Sequence, residues 1–226
     1  MYQTIAMTSE VRERLPEVHV LAVKLKLKPL NEAPSSILFE EDWHRLHQQW
    51  KNSTKSDVAN QEKLMAYQQF YRDQLGLNVK KTPPSVQNLI QRYLIKDTLE
   101  RLPVIHPIVD AVNVAAVSHL IPLGVFDAQC VEGEVQLALS HGGEEFQPLG
   151  SSTLESLPPH MLILTDEMKV LSQFCYRDCE AQKITENTQE VWLLGCQVSG
   201  ISAQTVEAAL EEAQFQLKRI YSISNS

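Results

Sequence analysis

The sequence predicts an α+β protein, and three observations carry that expectation. Helical periodicity dominates the first half of the chain. Short apolar or alternating runs dominate residues 124–194, and an amphipathic helix begins at about residue 202. Helices segregated from strands along the chain suit α+β architecture better than a parallel α/β sheet. With 226 residues, 43% of them hydrophobic, the chain can bury a core without disulfide support, so we expect a single domain over 1–226.

Each element has its own signal. In the apolar run from Val18 to Leu27, lysines alternate with leucines at the end. This reads as a strand with Lys24, Lys26 and Lys28 on one face. Pro29 to Pro34 reads as a loop. Residues 31–75 then read as a helical hairpin. Trp43, Leu46 and Trp50 form one stripe, Asn52 to Asp57 a break, and Leu64, Tyr67, Tyr71 and Leu75 a second stripe stopped by Gly76. The aromatic stripe is the pattern of core.

Ser85 offers an N-cap to a helix carrying Val86, Leu89, Ile90, Tyr93 and Leu94 at helical spacing. His106-Pro107 opens another, with proline in its first turn. Its apolar surface is Ile108, Val109, Val112, Ala115 and Ala116, while Asp110, Asn113 and Val117 share a different strip. Strands are expected from Gly124, at Val135–Leu139, Met161–Leu164 and Val191–Leu194, with turns at Gly142-Gly143 and Asp166-Glu167. Ser202 caps a last helix lined by Val206, Ala209, Leu210, Ala213, Leu217 and Ile220. Its acids come early and its bases late, as the helix dipole favours. Ser222–Ser226 reads as a loose tail.

Composition narrows the function. A net charge of −8 argues against tight, indiscriminate nucleic-acid binding, which depends on phosphate neutralisation. Two local basic concentrations remain: Lys24, Lys26 and Lys28, and Lys80, Lys81, Arg92, Lys96 and Arg101. Cys130, Cys175, Cys179 and Cys196 form no disulfide framework. Cys175 and Cys179 would share a face if helical, but no second pair completes a zinc site, so no metal is expected. No apolar run is long enough to span a membrane, and Met1–Pro16 lacks the apolar core of a signal peptide. We expect a cytoplasmic protein with no cofactor.

The chemistry-bearing residues cluster in motifs. Val109-Asp110-Ala111-Val112-Asn113 is succeeded by Pro122-Leu123-Gly124-Val125-Phe126-Asp127, Gly143-Glu144-Glu145-Phe146, Tyr176-Arg177-Asp178, and Thr185 with Thr188. In order and spacing these resemble the B3/B4 module of the phenylalanyl-tRNA synthetase beta chain over residues 76–221. The resemblance implies a three-layer domain with a β-sandwich-like sheet core flanked by helices. It also implies a pocket for the acylated 3′ end of tRNA, where the synthetase removes a wrong amino acid. The synthetase commonly has a histidine at the Gly124 position, a glycine-rich loop at 176–178, and near Leu194 a glutamate that reads the tyrosine hydroxyl. None of these is here, so tyrosine on phenylalanine tRNA is not the expected substrate. Ser-His-Asp, P-loop and dinucleotide-binding signatures are absent from the sequence.

Several residues are candidates for such a site. As catalytic groups we expect Asn113 for a substrate amine or carbonyl, Arg177 as a planar fork, and Asp178 for the α-amino group or for Arg177. For substrate contact we expect His106, Gly124, Tyr176 and Thr188. Lys24, Lys26, Lys28, Lys80 and Lys81 would touch RNA. His106 serves equally as a helix entry, Asp110 as a pin for the helix, and the threonines as turn residues. Three functions fit: a freestanding deacylase of mischarged tRNA, a noncatalytic tRNA-binding module, or a binder of a free amino-acid-like metabolite. The expected partner is the tRNA acceptor end, not DNA or a membrane.

Overall fold

The computed structural model describes residues 2–30 and 38–225. The expected loop over 29–34 and the start of the hairpin fall partly on 31–37, outside the described residues. The strands are β1 (Gln3–Thr4), β2 (Ala6–Met7), β3 (His19–Pro29), β4 (Leu123–Asp127), β5 (Gln136–Leu139), β6 (Glu145–Phe146), β7 (Glu155–Ser156), β8 (Leu162–Thr165), β9 (Val170–Gln173), β10 (Arg177–Asp178), β11 (Glu190–Gln197) and β12 (Tyr221–Asn225). The α-helices are α1 (Ser9–Arg14), α2 (Glu40–Trp50), α3 (Lys55–Ala59), α4 (Glu62–Asp73), α5 (Ser85–Leu89), α6 (Pro107–His119) and α7 (Ala203–Lys218). A π-helical turn, Ile90–Leu94, continues α5. The class is α+β.

Two five-stranded sheets dominate. In the first, β3, β11 and β4 are adjacent and antiparallel, and β1 and β12 lie end to end along the other edge of β3. The second runs β10-β9-β8-β5-β2, antiparallel except for the parallel β2–β5 pair. A hairpin of β6 and β7 stands apart.

The period-2 rule assigns the faces of β11. Gly195 faces the last helix: a Cβ there would lie 2.4 Å from a methyl of Val206 and 3.3 Å from Leu210. Glycine is what lets α7 lie directly on the sheet. Leu194 and Cys196 face the other way, toward the second sheet. The result is α7 on one face of the first sheet, the second sheet on the other face, and α6 packed on α7 and along the β4 edge, joined through one hydrophobic cluster.

The helix predictions hold in their apolar faces and differ at some ends. In α7, Val206, Ala209, Leu210, Ala213 and Leu217 are buried, and Ser202 Oγ accepts from Thr205 N at 3.2 Å. Ser85 is not a cap but the first helical residue, after Pro84. The expected break at 52–57 holds a short extra helix, α3, started by a reciprocal Thr54–Asp57 capping box. The expected loose tail is strand β12, whose Tyr221, Ser222, Ile223, Ser224 and Asn225 pair with Pro29 back to Leu25. The signal for it in the sequence is the alternation of Tyr221 and Ile223 with polar residues.

Trp43, Leu46, Leu64, Tyr67 and Tyr71 are buried, so the aromatic stripes are core, as expected. They also support the cavity wall described below. Tyr67 Oη donates to the Cys196 carbonyl and Tyr71 Oη to the Cys175 carbonyl, both at 2.5 Å. Phe70 packs on Phe174 at 5.2 Å between ring centroids, and Tyr71 meets Tyr176 edge-on at 6.0 Å. Gly195→Ala should cost about 1–3 kcal/mol by overpacking against Val206, read as a lower midpoint in chemical denaturation. A midpoint equal to wild type would show that α7 does not rest on the sheet there.

Candidate functional site

Between the first sheet, the second sheet and α6 lies a cavity of about 260 Å³, the room of roughly nine water molecules. Its floor is Gly124, Phe126, Leu194 and Cys196. Val109, Val112 and Asn113 of α6 form one wall, and the segment Phe174–Ile184 forms another. The mouth carries exposed apolar residues: Ile105 (74% exposed) and Leu149 (54%) both line the cavity.

Backbone geometry places the wall. Phe174 sits at φ 47°, in the left-handed region where a non-glycine residue is uncommon. Tyr176 N donates to Gln173 O at 3.0 Å, closing the turn from β9 into β10. Alternation along that short strand then sends Tyr176 and Asp178 toward the cavity and Arg177 away from it.

Arg177 is therefore a correction. It does not line the cavity. Its guanidinium makes a two-pronged pair with Glu155, at 3.1 and 2.7 Å, contacts Gln173 at 3.2 Å, and lies 5.6 Å from the Phe146 ring centroid. It ties β10 to the β6–β7 hairpin.

Asp178 does face the cavity, and its carboxylate oxygens have no hydrogen-bond partner among the described residues. Burial away from water pushes its pKa up to about 7. Asn113, Gly124 and Tyr176 line the same space. At Gly124 an added Cβ would make only ordinary contacts, the nearest being Leu194 at 3.7 Å, so the floor there is open rather than crowded.

His106 and Thr188 do not line it. His106 is the N-cap of α6, its Nδ1 accepting from Ile108 N at 3.2 Å; burial lowers its pKa, partly opposed by Glu186. Thr188 donates to Asp127 Oδ2 at 2.6 Å and accepts from Thr185 N at 3.0 Å, which is turn chemistry joined to the end of β4. Asp110 pins the mouth, accepting from Ile105 N at 2.9 Å. Burial raises its pKa to about 6, against the pull of backbone donors.

The expected RNA-contact lysines are spread out. Lys26 and Lys28 are exposed on β3, and Lys24 is paired with Glu190 at 3.1 Å. Register places Lys24 across from Trp192, itself across from Phe126, so these lysines share the cavity's side of the sheet. Lys80 and Lys81 are exposed in the turn before α5.

Other lining residues carry no signal in the sequence. Ser172 and Gln182 reach the cavity from the second sheet and the turn beyond it. Gln182 Nε2 donates to the Leu171 carbonyl, and its buried Oε1 has no protein partner. Cys175 lines the cavity from the turn before β10, Cys179 from the residue just after β10 and Cys196 from β11, not from one helix face. A hydrogen bond to Cys175 and burial push the Cys196 thiol well up. No group of three or more His, Cys, Asp or Glu with metal-holding geometry occurs among the described residues. No helix among them is long and apolar enough to cross a membrane.

Fold and site together define an α+β protein with an interlayer pocket holding one unpartnered acid. The B3/4 domain family model matches residues 67–213, more than half of the chain, and the chain belongs to that family. The match begins inside α4, so the helix supporting the cavity wall is part of it. No curated protein sequence matches the chain. It is similar in structure to an N-terminal fragment of the phenylalanyl-tRNA synthetase beta-subunit from Pyrococcus horikoshii, at 13% identity and TM-score 0.48. That alignment covers 97% of this chain and 50% of the fragment, so the chain spans half the fragment's length.

The raised pKa of Asp178 has a stability consequence. The folded state holds this proton from the ordinary value of 3.8 up to about 7, where the unfolded chain has released it. Asp178 therefore contributes a loss of stability as pH rises through that window. Asp178→Asn should gain stability over wild type across it, with the difference levelling off above pH 7. Denaturation midpoints of both proteins against pH measure this. A difference flat with pH would mean the carboxyl is not shielded from water.

Proposed function

We propose that the protein hydrolyses the ester of mischarged aminoacyl-tRNA in trans, as a freestanding cytoplasmic editing protein. What supports this reading most is the charge inventory of the cavity. It holds one uncompensated carboxyl, and the one cation among its lining residues, Lys183, is exposed and engaged with Glu180. A free amino acid is a zwitterion, and its carboxylate would enter beside Asp178 with no counter-charge. Burying an unpaired ion costs several kcal/mol. An amino acid esterified to ribose has lost that carboxylate and keeps only its ammonium. The cavity thus suits the ester over the free amino acid. Membership of the B3/4 family supports a role connected with tRNA.

In this reading, deprotonated Asp178 takes a proton from a water whose oxygen attacks the ester carbonyl. A carboxyl with a pKa near 7 is matched to that task at neutral pH. The Asn113 amide donates to the carbonyl oxygen as it becomes an oxyanion. The carbonyl–ribose bond breaks, the ribose oxygen takes up a proton, and a free amino acid and a tRNA hydroxyl result. Phe126, Leu194 and Tyr176 hold the amino-acid side chain, which the apolar floor requires to be apolar. Fixing the ester against one water supplies much of the rate gain.

A panel of mischarged tRNAs tests this. Free amino acid should appear for at least one pairing, with the rate rising through about pH 7 as Asp178 loses its proton. Asp178→Asn should lower the rate about 10²–10⁴-fold. Arg177→Ala should change stability by up to about 1 kcal/mol, as for an exposed pair, and leave the rate near wild type. Salt-sensitive tRNA binding with no amino acid released from any pairing would replace this reading with a noncatalytic module.

A further inference from the structure

A second concave surface lies on the chain segment that leads to the cavity mouth. Its lining is Arg92, Tyr93, Lys96, Glu100 and Arg101, around about 70 Å³. The guanidinium of Arg92 lies 5.2 Å from the Tyr93 ring centroid and that of Arg101 5.4 Å, while Arg101 Nη2 also donates to Tyr93 Oη at 3.3 Å. Glu100 is the one carboxylate among these lining residues, and it pairs with Lys96 at 3.4 Å. Both arginines are exposed and have no carboxylate partner among the described residues. In a chain of net charge −8, three cations against one acid around an aromatic ring is an exception to the surrounding chemistry.

The patch is built rather than incidental. Arg92 and Tyr93 stand on the π-helical turn, in which Ile95 N donates to the Ile90 carbonyl at 3.3 Å, and Lys96, Glu100 and Arg101 follow it in the chain. Such turns recur at functional sites. Two long-range contacts hold the segment in place: His47 Nε2 to the Lys96 carbonyl and Gln91 Nε2 to the Lys55 carbonyl, each at 2.8 Å. Tyr93 fixes the two guanidiniums without neutralising them, leaving their planar forks for an acceptor with several oxygens.

We propose that Arg92, Tyr93 and Arg101 form a seat for backbone phosphate of the RNA strand whose acylated end enters the cavity. The inference rests on the deacylase reading for its ligand. Arg101 is four residues from Ile105, which lines the mouth, so the seat lies within about 14 Å of chain from the rim. That reach suits phosphates just upstream of a terminal nucleotide. Tyr93 adds an aromatic face of the kind single-stranded RNA uses for stacking.

The test measures binding of uncharged single-stranded RNA, with the sequence of a tRNA 3′ end, to the full chain by fluorescence anisotropy across a salt series. Arg92→Gln/Arg101→Gln should weaken binding about tenfold and flatten the log–log salt slope by about 1.4, the share of two phosphates on a single strand. Arg12→Gln/Arg14→Gln, which removes the same charge from exposed positions on α1, should move both far less. An unchanged affinity and slope in the Arg92/Arg101 variant, or an equal loss in the α1 variant, overturns the seat. Arg92→Lys/Arg101→Lys keeps the charge and guards against misfolding: it should retain the salt slope with weaker binding, and binding equal to wild type would overturn the role of the guanidinium forks. Because the RNA carries no ester, the two readings fail separately. Binding through the arginines without hydrolysis of any aminoacyl-tRNA removes the deacylase alone. Hydrolysis with binding indifferent to the arginines removes the seat alone.

Discussion

The architecture depends on strand β11 having no solvent side. One face must accept a helix at backbone range, and the other must leave a void. Gly195 meets the first demand by lacking a side chain where Val206 arrives. Leu194 and Cys196 meet the second by ending at the floor of the cavity. A one-residue slip would exchange the faces, setting Leu194 and Cys196 against α7 and emptying the floor. The eight-residue pairing with β3 and the five-residue pairing with β4 oppose that slip.

The cavity survives because its walls are held from behind. Aromatic side chains of the helical insertion meet the backbone or rings of the wall: Tyr67 and Tyr71 through carbonyls, Phe70 and Tyr71 through Phe174 and Tyr176. The insertion belongs to the site's support, although none of its helices contributes a lining residue. Arg177 acts in the same way from the other side, clamping β10 to the hairpin through Glu155.

Much of this is legible in the sequence. Apolar periodicity locates α4, α6, α7 and most strands, and the order of motifs points to the family. At the site, sequence order is a good guide to neighbourhood and a poor one to direction. Tyr176, Arg177 and Asp178 look like one cluster in the sequence, whereas two of them face the cavity and one is turned out by strand alternation. That alternation is visible only once 177–178 is known to be a strand. His106 goes to the local backbone, and Thr188 to the local backbone and the Asp127 carboxylate, the competing uses of their side chains. The three cavity cysteines, two flanking β10 and one on β11, come together only through packing of the two sheets, and no spacing announces that. The π-helical turn is equally hidden, because Val86, Ile90 and Leu94 keep α-helical spacing through it.

The absence of a free cation among the cavity's described lining also bears on product release. In the proposed reaction, cleavage converts a neutral carbonyl centre into an anion a short distance from Asp178. The same charge balance that admits the acylated end would expel the liberated amino acid, so turnover would not have to await a separate opening motion. Accumulating amino acid would then be a poor competitor for the site.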